Sequence, residues 1–418
     1  MKKIDNENKC IAYGAGMNSG FFIDTIRKKG IELLCICDRD ESKQGMYIHG
    51  LEILSLKDAK AKYGNDIKVY ITTLSPLKEE IAHELVSSGA ISREQVANAE
   101  VREKYVGCWH LEREFLIDSE KINYCCGLGN AHNEPPAVMW KGSAEDIVKD
   151  FVFRRDELIY KVKNGLESPC SGCPNLQERL WDPDKKVRTI AFSLQYPCNY
   201  SCVYCRSRNM RNKVTKEYDD KINSFDFASV LKMLETTGNL ALETPIELSA
   251  GEITINPQKE KIYQVIRDYP VMFFTNGYIY DEEIARHISR DKGSFINCSV
   301  DAGTRETYKK VKGLDGFERV REHIYKYSVE RGGRVQLKYI VLNENCDKEN
   351  LDGFVDLCIY CNVEAARIST DMCYDLSELP ERIIEGAEYL KKRLRDSGIV
   401  VYIMDTFGTK ITKIINEY

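Results

Sequence analysis

The chain has 418 residues, of which 43% are hydrophobic and 30% charged, and its formal net charge is −5. These proportions are ordinary for a globular protein, and the length suggests two or three domains. The acidic balance and the lack of a long basic run argue against nucleic acid as a partner. No apolar stretch follows the basic N-terminus or is long enough to cross a bilayer, so we expect a cytoplasmic protein without a membrane partner.

Residues 1–99 alternate strand-like and helix-like segments. Strands are predicted at 10–13, 31–37 and 67–72, with a glycine-rich turn and a helix after the first and a second helix at 77–88. A glycine turn followed about twenty residues later by an acidic strand end is typical of a Rossmann-like unit, although the spacing here is GxGxxxG. The candidate nucleotide site is Gly14, Gly16 and Asp38. The alternative is a structural or docking domain that binds no nucleotide.

The same segment is similar to the small Rossmann-like domains attached to sugar-modifying and polysaccharide-assembly enzymes. The matching features are the glycine turn, the strand that ends in Asp38, and the Lys43-x-Gly45 segment that follows. This resemblance implies a nucleotide or nucleotide-sugar ligand.

Residues 100–185 have weak periodicity and several cysteines. A CxxC pair, Cys170 and Cys173, follows the more distant Cys108 and the adjacent Cys125 and Cys126. Such a set is the usual composition of a four-thiolate site, and either an iron–sulfur cluster or zinc fits it, with no metal as the third reading. Because adjacent cysteines rarely both ligate one cluster, Cys125 and Cys126 are rivals.

This cysteine pattern resembles the auxiliary-cluster modules, of the SPASM and twitch types, of radical S-adenosylmethionine (radical SAM) enzymes. The resemblance implies a second [4Fe–4S] cluster held by Cys108, Cys126, Cys170 and Cys173, with Cys125 as the rival of Cys126. Those modules normally follow the catalytic barrel, whereas these cysteines precede the region that would form it.

Cys198, Cys202 and Cys205 form a CxxxCxxC motif, with Tyr204 just before the last cysteine. Three thiols at this spacing can ligate three irons of a cubane cluster and leave the fourth open for chemistry. The alternative is a zinc knuckle that lacks its fourth ligand.

Residues 186–375 repeat strand-like and helical segments, as a parallel βα fold requires. The six predicted strands are 189–194, 245–248, 271–274, 295–301, 334–341 and 363–369. The first strand delivers the CxxxCxxC loop from its carboxyl end, where parallel barrels carry their active sites.

The motif and the strand ends behind it, in this order, resemble the radical SAM superfamily. Gly251 and Glu252 follow the second strand, although Ala250 replaces the usual first glycine, and the third and fourth strands end in Thr-Asn-Gly and Ser-x-Asp. The resemblance implies a partial (β/α)6 barrel and a [4Fe–4S] cluster that binds S-adenosylmethionine (SAM). It places the SAM site at Tyr204, Gly251, Glu252, Thr275, Ser299 and Lys338.

The remaining segment, 376–418, is predicted to close the barrel with a helix at 381–397 and a strand at 399–404. If the enzyme is an epimerase, a thiol must return a hydrogen atom to the substrate. Cys373, just beyond the sixth strand, is the candidate donor, although buried packing is the commoner role of such a cysteine.

The resemblance leaves three functions open. The first is hydrogen abstraction from a carbohydrate or nucleotide-sugar, leading to dehydrogenation, epimerisation or rearrangement, with a flavodoxin- or ferredoxin-type electron donor. The second is crosslinking or oxidation of a ribosomal peptide, although no winged-helix peptide-recognition segment is evident. The third is a non-catalytic metal-binding scaffold.

Overall fold

The computed structural model describes residues 9–17, 19–73, 77–99, 103–117, 121–124, 137–139, 141–173, 175–181, 184–193, 198–205, 226–241, 244–249, 251–257, 259–371 and 379–403. Within these residues the strands form sheets of five, two and ten strands, and helices lie between them. The fold is mixed α/β, as the sequence predicts.

The five-stranded sheet has the order β3-β4-β2-β1-β5, with all pairs parallel except β3–β4. Its strands are β1 Lys9–Tyr13, β2 Glu32–Cys37, β3 Tyr47–Ile48, β4 Leu51–Leu54 and β5 Lys68–Ile71. Its helices are α1 Ser19–Lys28, α2 Leu56–Tyr63 and α3 Leu77–Ser87. Separate apolar clusters cover its two faces, as is usual for parallel sheets.

The cysteine-rich segment contains more regular structure than its weak periodicity predicted. Strand β6 (Glu103–Cys108) pairs antiparallel with β10 (Leu176–Trp181), and the short helix α4 (Trp109–Arg113) follows β6. The 20-residue helix α5 (Ala144–Lys163) begins at a capping box in which Ser143 and Asp146 satisfy each other's backbone N–H groups.

The ten-stranded sheet has the order β17-β16-β15-β14-β13-β12-β11-β7-β8-β9. The six predicted strands are its centre, and they pair parallel in chain order: β11 Thr189–Ser193, β12 Ile246–Ser249, β13 Val271–Thr275, β14 Phe295–Ser299, β15 Val335–Val341 and β16 Ala365–Thr370. The helices that accompany them are α6 Phe227–Thr236, α7 Lys259–Ile266, α8 Glu282–Arg290, α9 Arg305–Lys312, α10 Phe317–Tyr325, α11 Lys348–Tyr360 and α12 Glu381–Asp396.

Both edges of this sheet come from segments that the sequence assigned elsewhere. Three strands of the cysteine-rich segment extend one edge: β7 Glu114–Ile117, β8 Lys121–Asn123 and β9 Val138–Met139. At the other edge, β17 (Val400–Ile403) pairs parallel with β16. The predicted boundaries at 185 and 375 therefore do not separate one sheet from another.

The two faces of the large sheet differ in chemistry because alternate strand residues point to opposite sides. In β14, Ile296 and Cys298 join the apolar cluster that packs against the helices, whereas Asn297 lies on the opposite face. Strand register places Asn297 opposite Gln336, and Lys338 opposite Arg367. We call the side that carries Glu247, Asn297, Gln336, Lys338 and Arg367 the polar face.

Helix α1 of the N-terminal sheet packs against the amino-terminal end of the polar face. Phe21 contacts Met272 and Phe295, and the rings of Phe21 and Phe295 have centroids 5.8 Å apart. A Cβ on Gly20 would lie 2.1 Å from the Nη1 atom of Arg334. The missing side chain of Gly20, the last glycine of the GxGxxxG turn, thus leaves room for the Arg334 guanidinium at this contact.

Candidate active site

The cysteine loop, residues 198–205, follows β11 and is held by the carboxyl end of α9. The N–H groups of Ser201 and Val203 donate to the carbonyls of Lys312 and Val311 at 3.0 and 2.9 Å. Gly313 adopts a φ of +74°, and a Cβ there would lie 2.9 Å from the Cβ of Ser201. Glycine at 313 therefore satisfies both the backbone conformation and the contact with the loop.

A buried ion pair ties the cysteine loop to the end of β14. Asp301 and Lys312 are 0% and 1% exposed, and the Lys312 ammonium donates to Oδ2 of Asp301. The Tyr204 hydroxyl donates to the same oxygen at 2.5 Å and accepts from Lys312 at 2.7 Å. Burial opposes the charge of Lys312, but Asp301 raises the net pKa of this amine. The Tyr204 hydroxyl is thus held by the same ion pair that supports the cysteine loop.

Glu252 organises the ends of β12 and β13. Its Oε1 atom accepts the hydroxyls of Thr254 and Thr275 at 2.8 Å each, and Oε2 accepts the N–H of Asn276 at 2.7 Å. Burial raises the pKa of this carboxyl even though these donors oppose the shift. Because these protein groups already donate to both carboxylate oxygens, Glu252 affects the site by positioning Thr254, Thr275 and Asn276.

Asn276 connects this arrangement to the cysteine loop. Its Nδ2 amide donates to Oδ1 of Asn199 at 2.7 Å and lies 3.7 Å from Sγ of Cys198. Amide donors near a cysteine sulfur stabilise negative charge on that sulfur. Sequence reasoning did not list Asn276 as a site residue, although it noted the Thr-Asn-Gly strand end.

Ser299 and Lys338 face each other across β14 and β15, on the polar face. Burial lowers the pKa of Lys338; Asp301 opposes this shift, and the nearby cations Lys312 and Arg367 add to it. Gly251 lies at the exposed end of β12 with a φ of +70°. Gly251, Thr275 and Ser299 thus lie at or just beyond the carboxyl ends of β12, β13 and β14, whereas Lys338 lies in the middle of β15.

Three of the predicted auxiliary-cluster cysteines are neighbours. The pKa of Cys170 rises to about 11, mainly through burial and further through the proximity of Cys108 and Cys173. Cys108 ends β6, and its register partner Leu176 follows Cys173 closely. Tyr124, the residue before Cys125, is buried near Cys170. Cys125 and Cys126 themselves lie outside the described residues, and so does Cys373.

In the candidate nucleotide site, hydrogen bonds join the glycine turn to the end of β2 and to Asp38. Gly14 has a φ of +111° and donates its N–H to the carbonyl of Cys37 at 2.7 Å. Asp38 accepts the N–H groups of Ala15 and Asp40 at 2.7 and 2.9 Å. The Tyr402 hydroxyl reaches the carbonyl of Gly16 at 3.5 Å, so this turn borders the large sheet.

Sequence reasoning missed the charges in the middle of the polar face. Burial and the neighbouring Glu114 raise the pKa of Glu247 to about 7, and burial lowers the pKa of Arg367 to about 10. The available signal was a charged residue inside each of two short apolar strands. Alternation alone does not say whether such a residue faces solvent or an enclosed surface.

Part of the chain matches a known protein family. Residues 192–352 match the sequence profile described as the Radical SAM superfamily. These residues form a radical SAM domain. It contains the cysteine loop, the strand ends of β12–β14 and Lys338. The family uses a [4Fe–4S] cluster and SAM.

Individual relatives are distant. The probable GTP 3′,8-cyclase of Saccharolobus islandicus is 26% identical over 250 residues, covering 54% of this chain and 77% of the relative. Streptococcus suis SuiB has 11% identity and a TM-score of 0.43, with 65% of this chain and 57% of SuiB covered. A radical SAM methyltransferase from Sphaerobacter thermophilus has 17% identity and a TM-score of 0.39, with 54% and 67% covered.

The donor set of the cysteine loop fits the cluster that the radical SAM domain implies. Cys198, Cys202 and Cys205 are half-buried on one short loop, and the loop is fixed by the contacts described above. In the described parts of the chain, no three His, Cys, Asp or Glu side chains are grouped closely enough for a single metal ion. A cubane spreads its thiolates over several irons, so it does not require that grouping. None of the described helices is long and apolar enough to span a membrane.

The pKa of Glu247 leads to a test of the polar face. In the folded protein, burial and Glu114 raise the pKa of the Glu247 carboxyl to about 7 against the opposing effect of Arg367. In the unfolded chain the pKa of this carboxyl is 4.5, so between these two pH values the folded protein holds a proton that the unfolded chain has released. The free energy of unfolding therefore falls between these pH values, by up to about 3 kcal/mol. We expect E247Q to match the wild type at pH 4.5 and to be more stable at pH 8. Urea unfolding curves at both pH values measure this, and a stability difference that does not change with pH would contradict it.

Proposed function

We propose that this radical SAM enzyme abstracts a hydrogen atom from a polar, anion-bearing small molecule, with nucleotides as the first class to test. The observation that carries this proposal is the cysteine loop at the carboxyl edge of a sheet whose polar face presents Lys338 and Arg367. The relative from Saccharolobus islandicus bears the name of an enzyme of GTP, which supports a nucleotide. The carbohydrate expected from the N-terminal segment has no such support, and sugar nucleotides remain a subclass to test.

The proposed architecture follows the sequence prediction. Strands β11–β16 would be the partial (β/α)6 barrel, residues 1–99 a Rossmann-like domain, and the cysteine-rich segment a SPASM-like module built onto the barrel sheet. The all-parallel order β4-β2-β1-β5 and the chain-order pairing of β11–β16 support these assignments.

Cys198, Cys202 and Cys205 would hold the cluster, which when bound supplies the electron that cleaves SAM into methionine and a 5′-deoxyadenosyl radical. The chain's own residues position the reactants, and positioning dominates the catalytic task because the cofactor supplies the chemistry. Asp301, Lys312 and Tyr204 fix the loop, and Glu252 orients Asn276 beside Cys198. Ser299 and Lys338 would bind SAM. A flavodoxin- or ferredoxin-type protein would deliver the electron.

The test is SAM cleavage by the anaerobically reconstituted full chain. We expect dithionite-dependent 5′-deoxyadenosine, with faster formation when the substrate class is present. GTP and other nucleoside triphosphates, UDP-sugars and short peptides form the panel. Stimulation by a peptide alone would favour the peptide-maturing alternative, and the absence of 5′-deoxyadenosine with every reductant would reject the enzymatic proposal.

A second cluster is proposed at Cys108, Cys170, Cys173 and either Cys126 or Cys125. Two cubanes correspond to about eight irons per chain and one to about four. We expect C170A to lower the iron content from about eight to about four while the loop cluster remains. Iron analysis with Mössbauer spectroscopy measures both. An unchanged iron content in C170A, or about four irons in the wild type, would exclude the auxiliary cluster.

A further inference from the structure

Two cations, Lys338 and Arg367, stand side by side on the polar face. Asp301 and Glu247 act on them electrostatically, but neither carboxylate is in ion-pair contact with them. Lys338 and Arg367 are register partners on β15 and β16, so their side chains leave the sheet on the same side. Like charges directly opposite each other destabilise a sheet. Among the described residues, no carboxylate lies within ion-pair distance of either side chain. A bound anion would lower the cost of burying these two cations together.

The guanidinium of Arg367 is fixed but leaves one edge without a strong partner. Its Nε donates to Oε1 of Gln336 at 2.8 Å, and its plane lies near the ring of Phe295, with 5.4 Å between their centres. Its two Nη atoms contact the Met272 sulfur at 3.9 and 3.8 Å. Sulfur is a weak acceptor, whereas the Nη edge matches the two oxygens of a carboxylate or phosphate.

Uncharged polar groups on the same face also lack partners. Asn297, opposite Gln336, is 0% exposed, and within the described parts of the chain neither its amide nitrogen nor its amide oxygen has a hydrogen-bond partner. The buried hydroxyl of Ser369, one strand position beyond Arg367 on this face, is likewise unpartnered. Buried polar groups are nearly always satisfied, so these atoms indicate a ligand or ordered water at this face.

We propose that Arg367 binds an oxyanion of the substrate, a phosphate or a carboxylate, with Lys338 beside it and Asn297 as a further polar contact. The inference rests on the proposed function and names the substrate group that the polar face recognises. Helix α1 covers the amino-terminal end of this face, and the cysteine loop lies toward the other end. The anionic group would be held against the polar face of the sheet, and the rest of the substrate would extend toward the cysteine loop.

Binding to the full-length protein without reductant tests the inference separately from catalysis. Calorimetry compares GMP with guanosine, and glucuronate with glucose, so that each pair differs by a phosphate or a carboxylate. We expect one oxyanion probe to bind the wild type about 10- to 100-fold more tightly than its neutral counterpart, the usual effect of a hydrogen bond to a charged group. The preferred pair identifies the oxyanion.

Variants at Arg367 test whether this side chain causes the preference for the oxyanion probe. R367M should abolish the preference and R367K should retain part of it, and R367K also serves if R367M does not fold. The matched control is R286M, at an exposed arginine on α8 that pairs with Glu283. Three results would overturn the inference: no oxyanion preference in the wild type, an unchanged preference in R367M and R367K, or a loss confined to SAM binding. Absence of 5′-deoxyadenosine formation by the wild type with every reductant would instead reject the proposed function and leave the binding result standing.

Discussion

Replacing Cys202 with alanine is expected to reduce 5′-deoxyadenosine formation to the background seen without enzyme. With two thiolates in the loop, the cluster has too few protein ligands to be retained with an open iron for SAM. Cys202 lies between the two backbone hydrogen bonds that fix the loop, at Ser201 and Val203. Removal of its side chain therefore leaves the loop's attachment to α9 intact.

The measurement combines iron content with dithionite-dependent SAM cleavage in the absence of substrate. C202A should lose the loop cluster and retain the auxiliary iron, which separates local loss from unfolding. C346A is the matched control, because Cys346 is half-buried outside the loop and its sulfur contacts Arg382 at 3.1 Å. Wild-type SAM cleavage by C202A would contradict the assignment of the loop as the cluster site.

The sequence predicted the order of the large sheet's core because each strand there is a short apolar run that ends in a recognisable polar residue. The family resemblance assigned Ser299 and Lys338 to one site, and the strand register places them opposite each other across β14 and β15. The place of the outer strands in this sheet could not be predicted in the same way. Strand β7 has four residues and β9 has two, and their place depends on pairing with distant segments rather than on local pattern.

The roles of individual side chains were harder to predict than their location. Tyr204 is predicted to line the SAM site, and the motif gave no indication that its hydroxyl is bonded to Asp301 and Lys312. Gly20 reads as part of a nucleotide-binding turn, but its missing side chain makes room for Arg334, more than 300 residues away along the chain. Such contacts depend on how separate elements pack, which spacing within one motif does not contain.

The buried pair of Asp301 and Lys312 gives the largest expected change in stability. Removing one partner leaves the other charge buried without compensation, which typically costs about 3–5 kcal/mol. K312M leaves the Asp301 carboxylate in this position. D301N leaves the Lys312 ammonium, and asparagine suits the φ of +56° at residue 301, so this variant changes charge without adding backbone strain. We expect each single variant to lower the free energy of unfolding by this amount.

The double variant D301N/K312M should recover part of the loss, because no unpaired charge then remains. Urea unfolding of the four proteins under anaerobic conditions measures the coupling. The exposed pair of Arg305 and Asp315 is the control, and D315N should change stability by less than about 1 kcal/mol. If the single variants were as stable as the wild type, the pair of Asp301 and Lys312 would not stabilise the folded protein. Because the ion pair binds Tyr204 of the cysteine loop, and the backbone of Lys312 binds Ser201 of the same loop, the single variants should also retain less iron at the loop cluster than D315N does.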